Sequence, residues 1–468
     1  MSASLIGLNG TTLATDANPV PVTLSGIIDN RVSFTHEDPT LDSFERLRVS
    51  DARIAFEASF SAQTPTLSTT IWEVGTVGAG STEALTNNLY GCNLTLPVTT
   101  AVGRWIQSIG HIRYAPGVSH LFRFTFNTGQ LTANIRHRVG MFTDQGTFPS
   151  TAGDGFYFEN DATALAFVRR YMTQGATGGE ERVLQANWNM NKMNGTGDVA
   201  NPLANIVTLD MAKAQHLVVE YQWLGVGTIR FGFETGAAGV VWAHQMTSVN
   251  ALAEAWSRTG SLPVRAEAYN YGAAAISSLT MINCVVLQEG DVADLRGWRY
   301  FGGDSGAAAK VTALVANTWY PIMGIRAAGT NDLTKRTRII PTSLSVTVAV
   351  IATGPTALKI GLLMNSTPGT GATYAVTVAG SATVVDNATT STTVTTGSCI
   401  WNAIVPNVVG TYTFDLSTMN DNANVIGCAA SGTQAITGPG NLVLCCAPVQ
   451  TATVGASIVA ALNWKEIV

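Results

Sequence analysis

Alternation of period two runs through this chain and leaves few folds open to it. Apolar side chains recur at every second position in FRFTFN (122–127), HLVVEYQW (216–223), TIRFGF (228–233), SLSVTVAVIA (343–352) and ATYAVTVAG (372–380). A strand turns successive side chains to opposite faces, so this pattern marks half-buried β structure. Clusters of Gly, Asn, Asp and Pro interrupt the runs about every ten residues. The stretch VEYQWLGVGTIRFGF (219–233) holds two such runs meeting at Gly-Val-Gly, a hairpin turn rather than a phosphate loop. Many short strands at this spacing predict an all-β chain of β-sandwich or jelly-roll-like domains. Only two segments offer an alternative. VNALAEAWSR (249–258) is rich in helix formers, and DATALAFVRRYM (161–172) suits either a helix or a strand.

At 468 residues the chain is too long for one ordinary core. Residues 1–55 read as an extended arm of short β-prone pieces ending in a charged patch. Residues 56–303 read as a large jelly-roll-like sandwich, 304–310 as a Gly/Ala linker, and 311–468 as a second sandwich. From Gly361 to Trp464 there is no Lys or Arg, and the acids there are Asp386, Asp415 and Asp421. So little charge guards poorly against edge-to-edge strand pairing. Across the whole chain only 12% of residues are charged, about half the usual share. We therefore expect a homo-oligomer that buries part of this surface, with the arm lying on a neighbouring copy.

Charge and motifs exclude several function classes. The formal net charge is −5 and the longest basic cluster is Lys335-Arg336-Thr337-Arg338, so no nucleic-acid partner is expected. No apolar run reaches membrane-spanning length, and MSASLIGLNGTT lacks the basic and apolar regions of a signal peptide, so neither membrane insertion nor export is expected. Cys92, Cys284, Cys399, Cys428, Cys445 and Cys446 show no metal-ligand spacing; buried thiols are expected, with a bridge from Cys428 to Cys445 or Cys446 left open. The six histidines show none either, so no metal and no cofactor are expected. The acids cluster once, at Asp144, Asp154, Glu159 and Asp161 in MFTDQGTFPSTAGDGFYFENDA. Paired carboxylates there would suit glycoside hydrolysis or a Ca²⁺ ion. The competing reading is a polar loop between two strands, and no catalytic residue is assigned. Trp188, Trp223, Trp242, Trp256, Phe156, Phe158, Phe231 and Phe233 suit either a sugar platform or the core, and their alternate spacing favours the core.

Several blocks resemble β-rich virion structural proteins of tailed bacteriophages and some large DNA viruses. They are DSFERLRVSDARIAFEASF (42–60), RHRVGMFTD with GFYFEND (136–161), ANWNMNKMNGTG (186–197) and VEYQWLGVGTIRFGF. The resemblance spans roughly residues 40–300 and carries no catalytic residues. It implies a non-enzymatic component located on the virion, a capsid decoration or tail-fibre-like part contacting other virion proteins, with a homotrimer expected by analogy. The alternative is a receptor- or glycan-binding tail adhesin, whose partner would be a host-surface glycan or receptor. Within LDSFERLRVSD the alternating charges of Asp42, Glu45, Arg46, Arg48 and Asp51 are the candidate interface, since paired charges fix register between neighbours.

Overall fold

The computed structural model describes residues 5–6, 12–14, 52–60, 67, 71–86, 91–108, 110–112, 114, 116–130, 133–143, 153–171, 179–236, 239–272, 275–289, 298–303, 315–327, 338–350, 357–364, 383–386, 393–394, 397–406, 408–416, 441–450 and 457–467. The chain divides into two compact units, Met1–Leu41 and Asp42–Val468. In the first, β1 (Leu5–Ile6) pairs antiparallel with β2 (Thr12–Ala14).

The second unit is built from antiparallel sheets, so the chain is all-β, as the alternation predicts. Its N-terminal part runs β3 (Ala52–Ser59), β4 (Trp72–Val77), β5 (Thr82–Thr86), β6 (Gly91–Leu96), β7 (Val102–Ser108), β8 (Ser119–Asn127), β9 (Ile135–Phe142) and β10 (Gly155–Asp161). It continues through β11 (Ala164–Tyr171), β12 (Gly179–Leu184), β13 (Gln215–Tyr221), β14 (Ile229–Glu234), β15 (Val240–Met246), β16 (Val264–Asn270) and β17 (Ser277–Glu289). One sheet has the order β12-β11-β10-β9-β16-β7-β4. The other has the order β15-β14-β13-β8-β17-β6-β5, with β3 also on β17.

The inner faces of the two sheets make one core. Phe122, Phe124 and Phe126 of β8 and Phe231 and Phe233 of β14 meet Val139 and Met141 of β9, Phe156 and Phe158 of β10 and Ala266 of β16. Phe158 meets Phe233 edge-on at 5.4 Å, and Phe167 stacks on Phe231 at 4.5 Å. Each such ring, fully buried, stabilises the sandwich by roughly 1.5–3 kcal/mol. His137 lies on this inner face too, because it alternates with Ile135 and Val139. Its Nε2 is 3.2 Å from the Ser277 hydroxyl of the facing sheet.

The VEYQWLGVGTIRFGF hairpin is β13 and β14, closed by Gln222 N–H to the Thr228 carbonyl at 3.1 Å and Gly227 N–H to the Trp223 carbonyl at 2.7 Å. Leu224 and Gly225 take positive φ, which is why the turn needs a glycine. The residues 249–258 do not form the expected helix. Asn250 takes φ +56, and Trp256 drops into the core with its backbone N–H donating to the Gly225 carbonyl. Burial of one indole overrides a weak local propensity. Within DATALAFVRRYM, Ala164–Tyr171 form a strand, β11, because Phe167 and Val168 are both buried, on opposite faces.

The C-terminal part comprises β18 (Trp298–Gly303), β19 (Tyr320–Ala327), β20 (Arg338–Val350), β21 (Ala357–Met364), β22 (Thr383–Asp386), β23 (Ser398–Pro406), β24 (Gly410–Asp415), β25 (Asn441–Pro448) and β26 (Ser457–Ile467). A four-stranded sheet, β18-β26-β20-β24, faces a five-stranded sheet, β22-β19-β25-β21-β23. Ile325, Leu344, Val346, Ile360, Leu444, Leu462 and Trp464 fill the space between them. Trp298–Gly303 thus pairs with the chain's last strand. The run ATYAVTVAG (372–380) lies outside the described residues. Among the described residues no helix is long and apolar enough to cross a membrane.

Candidate functional site

The acidic block noticed in the sequence lands on the outer face of the seven-stranded sheet. Alternation dictates which residues meet there. When Phe156 and Phe158 point inward, Tyr157, Glu159 and Asp161 point outward. On β9 the same rule sends Arg136 and Arg138 out. Register brings them together: Glu159 lies opposite Arg138, and Arg138 opposite Glu267 of β16.

A continuous path of hydrogen bonds crosses the sheet. Arg182 Nε donates to Glu159 Oε1 at 2.6 Å, and Arg138 Nε donates to Glu159 Oε2 at 2.8 Å. Arg138 Nη1 donates to Glu267 Oε1 at 3.0 Å, and Arg265 Nε donates to Glu267 Oε2 at 3.1 Å. Arg265 Nη1 then reaches Gln107 Oε1 at 2.9 Å, whose Nε2 donates to Glu73 Oε1 at 2.8 Å. Along this path three arginines alternate with three glutamates, so the charges cancel. Aromatic rings lie against the cations. Arg138 and Arg170 flank Tyr157 at 4.9 and 5.1 Å, and Arg265 sits 4.5 Å from the Trp105 ring. Trp105 lies flat over Gly75, where any Cβ would collide with its indole.

Apart from the exposed Arg182, the charged groups on the path are buried. Burial alone would raise the Glu159 carboxyl. The Arg138 and Arg136 guanidinia, with hydrogen bonds from Arg138 and Arg182, overcome it and hold the group below the usual carboxylate range. Burial likewise works against the Glu267 carboxylate, and Arg265, Arg138 and Arg170 overcome it. Asp161 is lowered against its own burial by Arg136, the Thr163 N–H and Tyr271. Asp154 sits apart from them, gripped by Arg258 Nε at 2.7 Å and Nη2 at 2.6 Å.

This arrangement decides what the cluster can do. A glycosidase needs one carboxyl kept protonated by a raised pKa. Here the two fully buried glutamates are held ionised between arginines, which suits a clamp between strands. A Ca²⁺ ion needs several oxygens converging, and among the described residues no group of acids, histidines or cysteines converges. Asp144 lies outside the described residues. So do Asp42, Glu45, Arg46, Arg48 and Asp51 of the expected interface, and Cys428 of the open disulfide question. Cys92, Cys284, Cys445 and Cys446 are free and buried, while Cys399 is free and exposed.

The aromatics considered for a sugar platform are core. Trp188, Trp242, Trp256, Phe156, Phe158, Phe231 and Phe233 are buried, and Trp223 is partly buried against them. The block ANWNMNKMNGTG has a different position, unforeseen from sequence. The Met190 and Asn191 N–H groups both bond the Ala243 carbonyl of edge strand β15, and the Asn189 amide bridges to Gln245 in both directions. Asn191 then ties Asp198 and the Asn205 carbonyl, fixing the loop that follows. The repeated asparagines, whose short amides bond backbone readily, were the one available signal.

No family model and no curated protein matches the chain. Among solved structures, the chain is similar to the Emp47p carbohydrate recognition domain, at 11% identity over 52% of this chain and 99% of that one, with a TM-score of 0.32. It is similar to the CBM2 module of the evolved Dit of Lactobacillus casei BL23 phage J-1, at 12% identity over 52% of this chain and 98% of that one, TM-score 0.32. It is also similar to a glycosyl hydrolase family 16 protein from Mycobacterium smegmatis, at 10% identity over 50% of this chain and all of that one, TM-score 0.32.

Proposed function

We propose that the chain is a non-enzymatic structural protein of a tailed-phage virion, a self-associating component on the outside of head or tail. The observation that carries this reading is the neutralised ladder on the seven-stranded sheet. The carboxylates gathered on this sheet are spent on holding strands together, since Glu159 and Glu267 are both locked ionised between arginines. Two further features support it. Three of the four blocks that resemble virion proteins fall on hydrogen-bonded parts of the N-terminal sandwich, namely β9, β10, the β13–β14 hairpin and the loop over β15, and the described end of the fourth, residues 52–60, includes β3. The low charge of the C-terminal part suits a surface covered by neighbours.

Two measurements test the reading. Light scattering on the full chain, and on a variant lacking residues 1–55, should give an oligomer that weakens without the arm. Mass spectrometry of purified virions of the encoding phage should find the chain's peptides at a stoichiometry of many copies. A monomer in both proteins, together with absence from the particle, would sink it.

A further inference from the structure

Alternation sorts the four-stranded sheet β18-β26-β20-β24 into two faces. Tyr300, Leu344, Val346 and Trp464 turn to the core. Arg299, Phe301, Ser343, Asn463 and Lys465 therefore turn away from it. Register places these outward residues in rows. Arg299 lies opposite Lys465, and Phe301 lies opposite Asn463, which in turn lies opposite Ser343. Two residues along a strand separate one row from the next by about 7 Å. The Asn463 amide donates to the Ser343 hydroxyl at 2.8 Å, and its carbonyl oxygen has no partner among the described residues. Farther along, the face is hydroxyl again, with Thr347 bonded to Thr411 at 2.9 Å across β20 and β24.

Two features of this face do nothing for folding. Phe301 is 70% exposed, while its neighbour Tyr300 stacks inward on Trp464 at 6.4 Å. Arg299 is exposed and stands directly opposite Lys465, and like charges in that position weaken a sheet. Lys465 has a partner of its own, whereas Arg299 makes no hydrogen bond or ion pair among the described residues. The acid on this face, Asp415 of β24, is three strands from Arg299, about 14 Å away. The aromatics considered as a sugar platform from the sequence belong to the first sandwich and are spent on its core. Phe301 was not among them, and it is spent on nothing.

We propose that Arg299, Phe301 and Asn463 form a binding site for an acidic glycan, a sugar chain that carries carboxylates. The Arg299 guanidinium takes a carboxylate through two parallel N–H bonds. The Phe301 ring takes the C–H face of a sugar ring, which is apolar. The Asn463 amide, held in place by Ser343, has an acceptor left for a sugar hydroxyl. The cation row and the aromatic row are about 7 Å apart, the scale of one sugar residue with its carboxylate. Charge complementarity selects this occupant over the others. A neutral glycan leaves Arg299 unused. A polynucleotide needs a run of cations, and beyond Arg299 and Lys465 the described face has hydroxyls. An apolar peptide finds those same hydroxyls where it needs pockets. The site is independent of the virion role proposed above and is read on the purified chain.

The test is capture of the full chain on immobilised oligosaccharides that carry uronic or sialic acid, each beside its neutral methyl ester, at low salt where an exposed ion pair is least screened. Calorimetry then gives the affinity of each captured sugar for the native chain, Arg299→Gln, Phe301→Ala and the control Lys213→Gln. All three positions are exposed, so the fold should survive, and circular dichroism verifies that. The native chain should bind an acidic sugar about tenfold or more tightly than its ester. Arg299→Gln should abolish that preference, Phe301→Ala should weaken binding of both forms, and Lys213→Gln should change neither. Capture of no acidic sugar, equal binding of acid and ester, or binding untouched by Arg299→Gln or by Phe301→Ala overturns the site. A fall in the oligomeric mass of Phe301→Ala, read by light scattering, assigns the face to a second copy and overturns it as well.

Discussion

Mild acid should destabilise the N-terminal sandwich through one side chain, His137. Burial pushes its imidazole down to about 3 from 6.5. It faces the core from β9, with Ser277 as its partner across the sheets. The folded-state pKa lies below the unfolded one, so the unfolded chain binds the extra proton between these values. Stability is full above 6.5 and falls as pH drops through the window toward 3. The acid limit follows from the separation of the two values, about 5 kcal/mol, and at about pH 5 the loss is already about 2 kcal/mol. That is a large share of an ordinary domain's stability, roughly 5–15 kcal/mol. About pH 5 is the informative point because the lowered Glu159, Glu267 and Asp161 remain ionised there. The assay is urea unfolding at about pH 7 and about pH 5, followed by amide exchange in β9 peptides, for the native chain and His137→Gln. The native chain should lose about 2 kcal/mol more than the variant across that interval. His244, lowered by burial to about 4, acts in both proteins and cancels. Equal losses would refute the argument, because no other group differs between them.

Three more outcomes follow from packing and charge. Arg138→Met should cost about 3–5 kcal/mol in urea unfolding, since it leaves Glu159 and Glu267 buried with one cation fewer between them. Gly75→Ala should lower the thermal midpoint by an amount equivalent to about 1–3 kcal/mol, because the added Cβ must displace the Trp105 ring. Native maleimide labelling with peptide mapping should modify Cys399, which is exposed. It should spare Cys92 and Cys446, whose thiols burial pushes up to about 12, until denaturant is added.

Which face each strand buries was legible in the sequence, and which strands meet was not. IRHRVGMF already states that Ile135, His137 and Val139 share one side while Arg136 and Arg138 share the other. What it conceals is that the second side is also buried. Charges at alternate positions normally mark a solvated face, and only register with Glu159 and Glu267, the latter 129 residues away, turns them into a ladder. Local pattern carries no information at that separation. The segment 249–258 failed in the opposite direction. Its composition favours a helix, but Trp256 belongs to the core and Asn250 breaks the run. The block ANWNMNKMNGTG was noticed by resemblance, yet its contact with Ala243 depends on where a later strand ends up.

That contact has a consequence in time. Asn189 bonds Gln245, 56 positions later, so on the ribosome the cover emerges before the strand it protects. Strand β15 can then be capped as soon as it docks on β14, and its edge is never presented to a neighbouring nascent chain. Refolding from denaturant removes that order. β14 and β15 form by a short local hairpin, while the cover must close a much longer loop and arrives later. The same native contacts therefore give a chain that is safe in synthesis and concentration-sensitive in the test tube, with lower recovery of native protein as refolding is carried out at higher protein concentration.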